Sequence, residues 1–139
     1  MSRFVQHGQA LAALLRETVD RRRNLRGLLM VDSTGLPLAS TFSSTALEER
    51  AAALASIGAT FVARARTDLS LGSTHLLRLS SRDGQLVLIP ADTESWLIAL
   101  AEGEGSGADL DILLLALVRD LLAIIGVTTE FAPPLGAHC

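Results

Sequence analysis

From Leu28 to Arg66 the chain reads as one compact unit of strand, turn, strand and helix. An apolar run, Leu28-Leu29-Met30-Val31, enters the turn Asp32-Ser33-Thr34-Gly35, and a short strand from Leu36 to Thr41 returns from it. Gly35 supplies the positive φ that a tight hairpin requires. An alanine-rich helix then runs from Thr45 to about Arg66, and Thr45-Ala46-Leu47-Glu48 reads as a capping box, with Thr45 capping and Glu48 reaching back. Two stripes run along this helix. Leu47, Ala51, Leu54, Gly58, Phe61 and Ala65 recur at steps of four and three and are expected to lie on a sheet. Ala52, Ala55, Ala59 and Ala63 form a second stripe of methyl groups beside it. Alanine is the best helix former, so propensity alone accounts for the methyl stripe as well as packing does. Gly58 favours packing, because a glycine costs about 1 kcal/mol in a helix interior and usually has a packing reason. A face of small side chains lets a second helix approach closely.

The flanking segments extend this unit at both ends. A first helix is predicted from Gln9 to about Arg23, with Leu11, Leu14, Leu15 and Val19 on one face. The cluster Arg21-Arg22-Arg23, with Arg26 close by, sits where cations meet the negative end of the helix dipole. Leu25 to Val31 is a nearly continuous apolar strand, as expected of one covered on both faces. Pro37 places the second strand at a sheet edge. After the alanine-rich helix, His75 to Ser80 alternates: Leu77 and Leu79 point one way, Leu76 and Arg78 the other. The turn Arg82-Asp83-Gly84 leads to a strand from Gln85 to Ala91, and Thr93 to Ala101 follows with Trp96 as a core or rim side chain. A glycine-rich loop, Gly103 to Gly107, opens the last helix, Ala108 to Ile125, which Gly126 stops. Residues 1–8 and 127–139 are expected to be flexible, leaving one folded domain over 9–126.

The order helix, strand, strand, helix, strand, strand, strand, helix implies a mixed α/β (α+β) fold. Short turns make the five-stranded sheet mainly antiparallel, and strands one, four and five, apolar on both faces, need helices on either side. The result is a three-layer α/β/α sandwich. The first and last helices share one face, which leaves the alanine-rich helix alone on the other. One helix is about 10 Å wide, whereas five strands at about 4.8 Å spacing span roughly twice that. Half of that face is therefore expected to be bare, and a homodimer would cover it. The predicted interface comprises Ala52, Ala55, Ala59 and Ala63 of the helix with Leu76 and Arg78 of the third strand, an edge with no proline or lysine to guard it.

These residues carry a family resemblance. The helix, the strand ending Val31-Asp32-Ser33-Thr34-Gly35-Leu36-Pro37-Leu38-Ala39-Ser40, the alanine-rich helix, and Trp96-Leu97-Ile98-Ala99-Leu100 before a final helix resemble the Roadblock (dynein light-chain) family and its bacterial MglB-type branch. The resemblance covers roughly Gln9 to Gly126. It implies a profilin-like fold, a homodimer with a continuous ten-stranded sheet, and a non-enzymatic role as platform or GTPase-activating partner of a small Ras-like GTPase. For such a partner the arginines of the alanine-rich helix, Arg50, Arg64 and Arg66, are the contact candidates.

Composition narrows the chemistry. All twelve basic residues are arginine, so the lysine of a Walker loop, a pyridoxal Schiff base or a protein kinase is missing. Cys139 is the only cysteine, and His7, His75 and His138 are too dispersed for ligand spacing, so no disulfide, zinc site or cofactor is expected. A net charge of −3 gives no basic surface for nucleic acid, and no apolar stretch is long enough for membrane insertion; the expected setting is cytoplasmic. Gly103-Glu104-Gly105-Ser106-Gly107-Ala108 does fit a dinucleotide-loop spacing. Glu104 would put a negative charge in the cradle, and Asp109 and Asp111 already occupy the helix start. A ligand- or nucleotide-sensing domain using this loop, and a pure scaffold subunit, remain the alternative readings. The last helix is apolar around most of its circumference, and what its own domain leaves uncovered is either hidden by the N-terminal segment or open to a partner.

Overall fold

A computed structural model describes residues 6–73, 75–103 and 107–126. The elements run α1 (Gly8–Arg21), β1 (Leu25–Asp32), β2 (Pro37–Ser40), α2 (Thr45–Leu69), β3 (Leu77–Ser80), β4 (Gly84–Asp92), β5 (Ser95–Glu102) and α3 (Gly107–Ile124). They are the eight elements expected, in the expected order. All neighbouring strands pair antiparallel, in the spatial order β2-β1-β5-β4-β3. The three strands apolar on both faces are central; β2, with Pro37, and β3 are the edges. Pro90 lies in central β4 and is accommodated where the register with β5 shifts between Pro90 and Asp92. Residues 1–5 and 127–139, which hold most of both predicted flexible ends, lie outside the described residues.

Strand alternation splits the interior into two cores. Leu28, Met30, Val87, Ile89, Leu97, Ala99 and Ala101 face α1 and α3, where Leu11, Leu15, Leu114, Leu117 and Leu121 close over them. Leu29, Val31, Leu88, Trp96 and Ile98 face α2. The apolar runs in β1 and β5 are thus explained by two covered faces. A buried Thr41 hydroxyl satisfies the Leu28 amide at 2.9 Å, and Arg16 donates to the Thr41 carbonyl at 2.8 Å.

The turn after β1 is held by one carboxylate. Asp32 Oδ1 accepts from the Thr34 amide at 2.9 Å, the Thr34 hydroxyl at 2.6 Å and the Leu36 amide at 3.0 Å, while Gly35 takes φ 91°. Burial alone would raise the Asp32 pKa, but the bonds from Thr34, Leu36 and Gly35 together hold it below its ordinary value. With the folded pKa depressed, Asp32 adds stability above its ordinary value of 3.8, and that share is lost as pH falls through the lower folded value. Asp32→Asn is expected to flatten this acid limb in denaturant melts taken from about pH 5 to pH 2, with unchanged acid sensitivity as the contrary result.

The α2 cap differs by one residue from the sequence expectation. Ser44, in extended conformation, accepts from the Leu47 amide at 3.2 Å, so Ser44 rather than Thr45 is the N-cap. Serine is at least as good a cap as threonine, and Thr45 becomes the first helical residue. Ser44→Ala should cost about 1 kcal/mol in thermal melts. Thr45→Ala should cost much less, and equal losses would mean the cap is misassigned.

Candidate interaction surface

Which side of α2 meets the sheet is decided by size. Ala51, Ala52, Ala55, Gly58 and Val62 are the buried residues of the helix. A Cβ built on Gly58 would come within 2.7 Å of Leu88 Cδ2 and 3.3 Å of Leu77 Cδ2, so glycine is what lets α2 sit close over β3 and β4. Large side chains on the sheet and small ones on the helix fill the layer between them. This corrects the expected stripes. Of the row assigned to the sheet, Ala51 and Gly58 are buried, whereas Leu47, Leu54 and Phe61 are 37%, 51% and 62% exposed. Ile57, at 64%, joins them.

The methyl stripe, expected at a dimer interface, is spent inside the chain. Ala52 and Ala55 are buried on the sheet, and Ala59 is partly buried against the same core. The Ala52 carbonyl and Ser56 also lie beside Gly35 of the β1–β2 turn, so this flank of the helix looks toward edge β2, away from β3. Ala63 is exposed. The signal that was available is Gly58 itself, which belongs with Ala51, Ala55 and Val62 rather than with Leu54 and Phe61.

Beside the other flank of α2 the sheet is only partly covered. Phe42, Leu47, Arg50, Leu54, Leu79, Leu86 and Leu100 line an open, mainly apolar groove of about 320 Å³. Leu79 of edge β3 is 65% exposed. The groove therefore runs from the outer row of α2 to the unpaired edge of the sheet. The uncovered part of this face is smaller than the half expected from strand and helix widths: Leu29, Val31, Leu88, Trp96 and Ile98 are buried on it, Leu77, Leu86 and Leu100 are half-buried, and Leu79 is exposed.

The other predicted residues lie apart. Leu76 packs partly buried against the α1/α3 core. Arg78 points to the same side, where it donates to Gln85 Oε1 at 2.5 Å and pairs with Asp111 of α3. Asp111 thus serves an ion pair, and Asp109 is the acid in the first turn of α3. Arg50 lines the apolar groove, Arg64 pairs with Asp68 at 3.1 Å, and Arg66 lines a separate cavity of about 340 Å³ with Trp96 and Asp92. At 1.5 Å per residue, Arg50 stands roughly 21 Å along the helix from Arg64, so the three arginines do not form one patch. Residues 104–106 of the glycine-rich loop lie outside the described residues. Among the described residues no three His, Cys, Asp or Glu side chains cluster to hold a metal, and no helix is long and apolar enough to cross a membrane.

The same architecture occurs in known proteins. A Roadblock/LC7 domain structure from Streptomyces avermitilis superposes with a TM-score of 0.74 at 19% identity, over 81% of this chain and 94% of that one. Myxococcus xanthus MglB gives 0.69 at 13% identity, over 84% and 87%. Schizosaccharomyces pombe profilin gives 0.59 at 10% identity, over 84% and 98%. At these identities the likeness is one of fold. No curated protein matches the sequence. The sequence model of the Roadblock/LC7 domain, however, matches residues 11–101, more than half of the chain and every element from α1 to β5. This chain belongs to the Roadblock/LC7 domain family.

Proposed function

We propose that the chain is a homodimeric, non-enzymatic interaction module that binds a small Ras-like GTPase and regulates its nucleotide cycle. The observation that carries the dimer is the exposed apolar row of α2 together with the groove that runs from it to Leu79 on edge strand β3. A second copy pairing along β3 extends the sheet to ten strands and sets its own Leu54, Ile57 and Phe61 beside those of the first. The exposed apolar row then has a partner of the same chemistry. The GTPase rests on family membership and on the likeness to MglB. The arginines of α2 support it, because Arg50 at one end and Arg64 and Arg66 at the other flank that row on a single helix.

Two measurements test the reading. Sedimentation at micromolar concentration should give a dimer. Mixing the chain with a Ras-like GTPase should accelerate GTP hydrolysis, and Arg50→Ala or Arg64→Ala with Arg66→Ala should reduce that acceleration while the dimer persists. Complex formation with no change in rate would make the chain a scaffold. Nucleotide binding by this chain alone would instead favour a sensing domain built on the Gly103–Gly107 loop.

A further inference from the structure

An unguarded edge strand must still tolerate its own charges when it pairs. β3 carries one, Arg78, and it points to the α1/α3 side of the sheet, whereas Leu77 lies against Gly58 and Leu79 lines the groove on the α2 side. Suppose β3 pairs antiparallel with its copy in a continuous sheet with both α2 helices on one side. The two-fold axis is then perpendicular to the sheet, and facing residues must point to the same side. For a four-residue strand this leaves two well-overlapped registers. Centred on Arg78, the strand sets that arginine opposite its copy, at about 4.5–5.5 Å between Cβ atoms. Centred on Leu79, it sets the two arginines one diagonal step apart, at about 7–8 Å. Either way, the two Arg78 stems meet on the same face at the centre of the interface, and guanidinium groups left over that seam would place like charges together and oppose pairing.

The carboxylate that answers this comes from another element. Asp111, on the second turn of α3, pairs with Arg78 Nη2, while Gln85 of β4 holds Nη1. Both ends of the ion pair are shielded, with the arginine side chain 21% and the aspartate 31% exposed. The pair is therefore less screened than the surface pairs of α1 and α2.

We propose that Asp111 licenses the β3 edge for pairing with a second copy, by neutralising Arg78 at the point where two copies of that arginine come together. The proposal rests on the homodimer and adds to it a residue on α3 that touches neither the groove nor the outer row of α2. Its consequence is that self-association depends on where the second turn of α3 sits.

The test is the dimer dissociation constant of the full chain by sedimentation equilibrium. Asp111→Asn is expected to weaken the dimer about tenfold at roughly 0.05 M salt, and by less at about 0.5 M, where like charges are screened. Arg78→Leu in the Asp111→Asn background should bring the constant back to within about threefold of the parent, since no like charges remain to be separated. If Asp111→Asn melts too early to compare, the exchanged pair Arg78→Asp with Asp111→Arg keeps opposite charges together and should dimerise as the parent does. A dimer unaffected by Asp111→Asn, a double variant no tighter than Asp111→Asn, or an exchanged pair that stays monomeric overturns the proposal while leaving the homodimer standing. A parent chain that is itself monomeric at about 100 μM overturns both.

Discussion

A chain carrying Ile57→Glu and Phe61→Glu is expected to keep its fold and to sediment as a single subunit. Both side chains are more than 60% exposed in the isolated chain, so their replacement removes little that the fold uses. Surface changes of this kind usually alter stability by no more than about 0.5 kcal/mol. In the proposed dimer the same residues bury against a second copy, and the two-fold axis counts each of them twice. Full burial of an Ile or Phe side chain is worth about 1.5–3 kcal/mol, and four such side chains meet per dimer. Losing even half of that weakens the dissociation constant by more than about 100-fold, before the repulsion of the new carboxylates is counted. Ala63→Glu is the paired control. Ala63 belongs to the flank of α2 that looks toward β2, and its replacement should leave the dimer intact. If Ala63→Glu dissociates the dimer and the double variant does not, the methyl stripe is the interface after all and α2 is turned the other way on the sheet.

The second large effect is on folding. Gly58→Leu should destabilise the chain by about 2–3 kcal/mol, because overpacking a filled layer exceeds the helix-propensity gain of about 1 kcal/mol from removing a glycine. The clash is specific: a Cβ at this position comes within 2.7 Å of Leu88 Cδ2, so the buried Leu88 must turn aside for any larger residue. For a chain of this size the melting temperature should fall by roughly 10 °C at fixed protein concentration. Gly58→Ala tests the same contact more gently and should cost less than Gly58→Leu, since its Cβ still presses on Leu88 but the propensity gain of about 1 kcal/mol offsets part of the cost. Leu88→Ala combined with Gly58→Leu should recover part of the loss, since residues in direct contact do not behave additively. A Gly58→Leu chain that melts within about 2 °C of the parent would mean that α2 does not rest on β4 there.

The fold was legible because its determinants are local and repeated. Apolar runs in β1, β4 and β5, alternation in β3, Pro37 at an edge, Gly35 in the turn and Gly126 past the last helix each restrict the backbone without reference to distant residues. That α2 leaves its face of the sheet incompletely covered was legible too, because it follows from counting five strands against one helix, although the uncovered part is smaller than half. The α2 cap slipped by one residue, since Ser44 and Thr45 are both capping residues and only the chain's entry geometry chooses between them.

The interaction surface was legible only in outline. Along α2, one apolar arc runs through Leu47, Leu54 and Phe61 and another through Ala51, Ala55, Gly58 and Val62, and periodicity alone does not say which one a sheet will accept. Leu29, Val31, Leu88, Trp96 and Ile98 are large, and together they leave room mainly for alanine and glycine opposite, with Val62 beside them, so the larger leucines and Phe61 are turned outward. Arg78 and Asp111 stand 33 residues apart and meet only because β3 lies beside the start of α3. The sequence by itself determined which elements form, their order, and that one helix is too narrow for its face of the sheet, because those follow from residue spacing and element width. Tertiary structure alone decided which side of that helix is inward and which charges are answered, because both depend on volumes and positions supplied by strands distant in the chain.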